Sequence, residues 1–214
     1  MRVVLLSPSG QPRRAQPLES LLLSALRDAT ATLHDALESA LRLTDPDLSP
    51  QQYMATLEGF LQVVEPVEAR IADGLPQRLL PFHAPRRKAQ RLRADLDWLR
   101  AGGWSPPAGT SARAPVALPA IGTPARAFGA LYVLEGASLG GRVVSRHIEQ
   151  RFGLREGRGY SYFCAYGSQA GAMWRQFREV LDAEVPPAEH RAAVDAAVDT
   201  FRAFHRQCVG VAAA

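Results

Sequence analysis

The sequence predicts an all-α, single-domain multi-helical bundle, and three observations predict it. Apolar residues recur at spacings of three and four along several long segments, the period of one helix face. Two of those segments open on a Ser-Pro or Thr-Pro pair, a signature of helix starts. No segment alternates apolar and polar residues with a period of two, and no internal repeat is present, so neither a sheet nor a solenoid is indicated. The chain has 214 residues, the size of one domain or at most a small pair. With 47% hydrophobic and 21% charged residues it can bury a full core.

Residues 1–16 hold Ser7, Pro8, Ser9, Gly10 and Pro12 and read as a flexible tail ahead of a helical domain over 17–210. Leu22, Leu26, Ala29, Leu33, Leu37 and Leu41 then mark a first helix to about residue 43, stopped by Thr44-Asp45-Pro46-Asp47. Ser49-Pro50-Gln51-Gln52 starts a second: Ser49 is the cap, Pro50 fits the first turn, and Gln52 can reach back to the cap. Its buried face is Tyr53, Leu57, Phe60, Val64, Val67 and Ile71, and Asp73-Gly74 ends it. A third helix is expected over 86–101, ending at Gly102-Gly103. Residues 102–122, with four prolines, read as an irregular connection. Thr123-Pro124 opens a long helix to about residue 152. An aromatic loop follows over 153–168, then helices near 169–183 and 187–209.

Composition narrows the function. No run approaches the roughly 18 apolar residues of a membrane span. Met1–Leu6 lacks the basic flank and cleavage site of a secretory signal. Two cysteines, Cys164 and Cys208, make no disulfide framework, so a reducing cytoplasmic setting is expected. The net charge of +4 raises a nucleic-acid reading, but of 25 basic residues only Lys88 is lysine and asparagine is absent, which points to a compositional bias toward arginine. The one tight basic cluster, Arg86-Arg87-Lys88, is followed by Asp95 and Asp97 and reads as solvated helix surface. No nucleic-acid or membrane partner is expected.

The helix from Thr123 carries the least expected stretch, Leu131-Tyr132-Val133-Leu134-Glu135-Gly136-Ala137-Ser138-Leu139-Gly140-Gly141-Arg142. Each interior glycine costs about 1 kcal/mol relative to alanine, so Gly129, Gly136, Gly140 and Gly141 together cost some 3–4 kcal/mol. Gly129, Gly136 and Gly140 fall on one side of the helix. The bare strip fits either tight helix–helix packing or the approach of a flat ligand. A phosphate loop is not indicated, because no strand precedes the glycines and no Lys-Ser or Lys-Thr follows.

Among His34, His83, His147, His190 and His205 no paired metal-ligand spacing occurs. His83, in a Pro-flanked turn, and His190, in a first helical turn, read as exposed. His147 and His205 read as helix surface or core edge. His34 differs in its neighbours. Glu38, one turn on, can accept from the second ring nitrogen of a ligating imidazole, and Arg27 stands two turns earlier, about 10 Å away by helical rise. A surface i,i+4 pair fits the same spacing. The two cysteines have no basic partner nearby in sequence, and no Gly-x-Ser-x-Gly elbow is present, so nucleophilic catalysis has little support.

Two segments taken together resemble the haem oxygenase family, in particular the bacterial biliverdin-producing members. Leu26 to Glu38 is similar to that family's proximal helix, and Tyr132 to Arg142 to its glycine-rich distal helix. The run Tyr162-Phe163-Cys164-Ala165-Tyr166-Gly167, followed by Trp174 and Phe177, is also similar to bacterial members. The resemblance covers about residues 20–208.

It implies an all-helical fold with haem, the substrate and cofactor, held between the two helices. His34 matches the axial iron ligand and Glu38 the carboxylate that holds its far nitrogen. Arg27 and Tyr132 match propionate partners, with Arg202 as a second one on the last helix. Gly136, Gly140 and Gly141 match the distal glycines, of which Gly136 and Gly140 would border the reacting oxygen. The implied reaction uses O2 and electrons from an external donor, a ferredoxin-like protein or other reductase, and yields biliverdin, carbon monoxide and ferrous iron. A phytochrome is a possible acceptor of the biliverdin. One position departs from many members: Ala137 stands where an aspartate anchors the distal water chain, leaving Ser138 or a distant arginine for proton delivery. The alternative is a haem carrier or sensor of the same fold without turnover.

Overall fold

The structure, a computed structural model, describes residues 20–107 and 117–208. Seven α-helices lie within them: α1 (Leu21–Leu41), α2 (Pro50–Gly74), the single turn α3 (Leu80–His83), α4 (Ala89–Ala101), α5 (Pro124–Phe152), α6 (Ala170–Glu184) and α7 (His190–Cys208). The expected tail over 1–16 lies outside the described residues, as do the middle of the proline-rich connection and residues 209 and 210.

The long helices begin where local chemistry says they should. Ser20 Oγ accepts from Leu23 N at 3.2 Å and caps α1. At α2 the capping box is complete: Ser49 N donates to Gln52 Oε1 at 2.9 Å and Gln52 N to Ser49 Oγ at 3.1 Å. Thr123 caps α5 ahead of Pro124. α1 ends slightly early, because Arg42 takes the left-handed conformation (φ 48°) and ion-pairs with Asp45. Gly153 supplies the same conformation, φ 67°, at the end of α5.

α2 runs through the middle of the molecule and packs on α4, α5 and α7. Tyr53, Leu57, Val63, Val67 and Ile71 are fully buried along it. α7 is the second organiser, with α1 on one flank and α5 on another. Thus α1 and α5 share a neighbour and leave a cleft between them.

Residues 75–88 depart from expectation. α4 starts at Ala89, three residues late, and Gln77–Arg86 folds into three short helical turns. These turns carry side chains inward. His83, Arg86 and Lys88 are all 2% exposed or less, as is Asp95, where the sequence had suggested exposed histidine and solvated charges. The reason is a partner remote in sequence: Lys88 Nζ lies 2.9 Å from Glu135 Oε1, 47 positions away. His190 is half-buried where exposure was expected. His147, at the core edge as expected, has Nε2 2.9 Å from Asp45 O.

Candidate functional site

The face of α1 that carries Arg27, Ala31, His34, Glu38 and Leu41 looks across the cleft toward Tyr132, Val133, Gly136, Ala137, Gly140 and Val144 of α5. The cleft measures about 550 Å³, within the range of small-molecule sites. Phe201 and Phe204 of α7, Phe60 of α2, and Tyr162 and Phe163 of the aromatic loop line its buried part, and Trp174 of α6 adds to the wall. The lining is mostly apolar carbon with a few polar groups, as a macrocycle with charged edges requires.

The four glycines of α5 divide into two pairs. A Cβ on Gly129 would stand 1.9 Å from Ala193 O, and one on Gly141 2.2 Å from Phe163 O. Those positions are glycine because another backbone touches the helix there, the packing alternative. At Gly136 and Gly140 nothing lies within 4 Å of such a Cβ, and both line the cleft. The sequence placed Gly129 on the same side as these two; the structure puts it against α7 instead. α5 is therefore pressed onto its neighbours at two points and left bare between them, where a flat ligand could approach the main chain.

His34 presents its ring at the cleft with the side chain 60% exposed, its edge on Phe201 at a centroid distance of 6.0 Å. Nδ1 stands 3.8 Å from Glu38 Oε2 and 3.6 Å from Asp35 Oδ1. Two carboxylates thus flank one ring nitrogen and leave Nε2 for a ligand. Glu38 was expected beside this ring; Asp35, next to His34 in the chain, was not singled out and lies slightly nearer. Arg27 lines the cleft and binds Asp28 and Ser24 at 3.2 Å. Tyr132 lies against Trp174, ring centroids 5.9 Å apart.

Three expected site residues stand elsewhere. Arg202 is exposed, pairs with Asp199 at 3.3 Å, and is not among the lining residues. Ser138 is half-buried and also outside the lining, whereas Ala137 is in it. Gly141 packs on Phe163.

The aromatic end is fixed from behind. Asp95 Oδ1 and Oδ2 accept from the backbone of Ser161 at 2.8 Å and Tyr162 at 2.9 Å, and Tyr53 donates to Gly159 O at 2.8 Å. Burial pushes the Asp95 carboxyl up, and those two N–H groups pull the other way. Cys164, half-buried, has its thiol pushed up by burial and is not an activated nucleophile.

Comparisons with known proteins bear on the family and on the fold. The Heme oxygenase family model matches residues 20–208. A heme oxygenase of Xanthomonas campestris is 32% identical over 155 residues, 72% of this chain and 86% of that protein. The fold is similar to heme oxygenase of Neisseria meningitidis in its NO- and CO-bound forms: TM-score 0.74, 21% identity, 91% of this chain and 94% of that one. It is also similar to heme oxygenase of Leptospira interrogans: TM-score 0.70, 20% identity, 89% of this chain and all of that one. A cyanobacterial heme oxygenase from Synechocystis, solved in complex with heme, gives 0.65 at 18% identity over 88% and 91%.

Proposed function

Because the chain belongs to the haem oxygenase family, an enzyme family that degrades haem, we propose that the α1–α5 cleft is where haem binds and is cleaved. The observation that carries the site is the juxtaposition of His34 with the open glycines Gly136 and Gly140 across one apolar cleft. A macrocycle needs an imidazole on one face and bare backbone on the other, and these residues fit it. Haem bound there supplies the iron on which O2 is activated and is itself the molecule consumed.

The chain's own groups divide the remaining work. His34 would offer Nε2 to iron, and Asp35 and Glu38, 3.6 and 3.8 Å from Nδ1, are placed to orient the ring. Arg27 and Tyr132 border the cleft and are the groups we assign to the propionates. Gly136 and Gly140 leave room above the ring plane. Phe60, Tyr162, Phe163 and Phe204 exclude water from the inner end. Ala137 supplies no proton, and Ser138 stands back from the lining, so protons reach the site through water along the α5 backbone. Arg202 has no part in this assignment. Electrons come from an external donor, a ferredoxin-like protein or another reductase, and biliverdin, carbon monoxide and ferrous iron are the products, with a phytochrome as one acceptor of the biliverdin. No helix among the described residues is long and apolar enough to cross a membrane. The thiols of Cys164 and Cys208 suit a reducing cytoplasm.

The test is turnover. Purified protein loaded with one equivalent of hemin and given a reductant and oxygen should lose its Soret band as biliverdin absorbance rises. A Soret band that persists without biliverdin would make the protein a haem carrier, the reading that Ala137 favours.

A further inference from the structure

Behind the bare strip of α5, on the side away from the cleft, lies a buried charged cluster that the haem site does not use. Glu135, the residue before Gly136, is 2% exposed, and its Oε1 accepts from Lys88 Nζ at 2.9 Å and from the Tyr166 hydroxyl at 2.6 Å. Its Oε2 faces Arg86 Nε at 3.5 Å. Lys88 Nζ also donates to the Leu134 carbonyl at 2.7 Å, so one ammonium holds both the main chain and the side chain of adjacent α5 residues. Arg86 is anchored in turn on Phe82 O at 2.8 Å and on Gln176 Oε1 at 3.0 Å.

We propose that Glu135, Lys88, Arg86 and Tyr166 form a positioning device that fixes the Gly136–Gly140 backbone at its distance from the cleft. Between the packing points at Gly129 and Gly141, the two open glycines have no side chains with which to hold the helix. The cluster grips the chain at 134 and 135, immediately before the first of them, and ties it to the 77–88 turns, to α6 and to the aromatic loop. Buried ion pairs contribute little net stability, and in some proteins they specify register or position, the role this cluster serves. The identity of the cation fits this role. In a chain whose other basic residues are all arginine, the single lysine stands where a compact ammonium must reach a carbonyl and a carboxylate together. The Tyr166 hydroxyl, pushed up by burial and by Glu135, stays protonated and remains a donor.

The proposal rests on the reading that the strip faces haem, but its first readout does not need haem. In the apo protein, Glu135→Gln and Tyr166→Phe should speed amide exchange at residues 136–141 by at least tenfold, with α7 amides unchanged. Tyr166→Phe keeps the ring and serves if Glu135→Gln fails to fold. In the hemin complex, the same variants should weaken azide binding on the distal side by fivefold or more while the His34-dependent spectrum stays intact. Lys88→Arg, which keeps the charge but not the compact ammonium, should by itself also speed exchange at residues 136–141. Wild-type exchange and azide affinity in variants whose only change is a lower unfolding midpoint would overturn the proposal. If the wild type gives no hemin spectrum, the haem reading fails, and the exchange rates alone decide this one.

Discussion

His34 and His83 show how one residue type serves opposite ends according to its surroundings. His34 is open to the cleft with two carboxylates behind it. Because both flank Nδ1, removing one should leave the other in place. Glu38→Gln should therefore weaken hemin binding only a few fold, and Asp35→Asn/Glu38→Gln by about tenfold or more, the lower end of what orienting partners contribute to metal affinity. A hemin titration of the three proteins checks this; equal affinities would remove the carboxylates from the account. His83 is buried, with Nε2 3.2 Å from Glu68 O. Burial lowers its pKa, and Arg87 and Arg86 act the same way, against the Glu68 carbonyl and the Glu135 carboxylate. The unfolded chain then takes up a proton that the folded one refuses, so stability is lost as pH falls below about 6.5, the ordinary imidazole value. Urea midpoints measured from pH 7 to pH 5 should fall less steeply in His83→Gln than in wild type.

At the scale of elements, α5 carries the account, and its glycines make opposite predictions. Gly129→Ala places a methyl against the Ala193 carbonyl and should destabilise by about 2 kcal/mol or more. Gly140→Ala meets nothing, and should stabilise the apo protein by up to about 1 kcal/mol through helix propensity. Gly140→Phe should abolish hemin binding while the unfolding midpoint stays close to wild type. Urea unfolding paired with hemin titration separates the two classes; if Gly140→Phe binds hemin normally, the strip is not the distal wall. The sequence showed that these glycines needed compensation, and it left packing and ligand approach as alternatives. Gly129 and Gly141 are packing positions, set by α7 and by the aromatic loop, while Gly136 and Gly140 are left open to the cleft.

For the whole molecule, much of the fold was legible in the chain. The Ser49-Pro50 and Thr123-Pro124 starts and the three-four spacing set α2 and α5 within a residue or so of their observed ends, because capping and amphipathicity are local. The 77–88 segment was not legible. Its short turns have no period, and the charges of Arg86 and Lys88 are buried against Glu135, a partner that sequence spacing cannot reveal. Of the residues expected at the site from helical spacing and family resemblance, His34, Arg27, Glu38, Tyr132, Gly136 and Gly140 line the cleft. Asp35 was missed for want of a periodic reason to choose it, and Arg202 was placed by sequence on a helix whose exposed side it occupies. A ligand that joins α1, α5 and α7 should also stabilise the assembly. At a hundredfold excess over its dissociation constant, hemin should add about 2.7 kcal/mol, seen as a higher urea midpoint that depends on hemin concentration.

If His34 grips haem from the face opposite the glycine strip, the hemin spectrum of His34→Ala must show it. The variant should lose the wild-type ferric spectrum and regain it when imidazole is added. A variant whose spectrum and turnover match wild type without imidazole would contradict it.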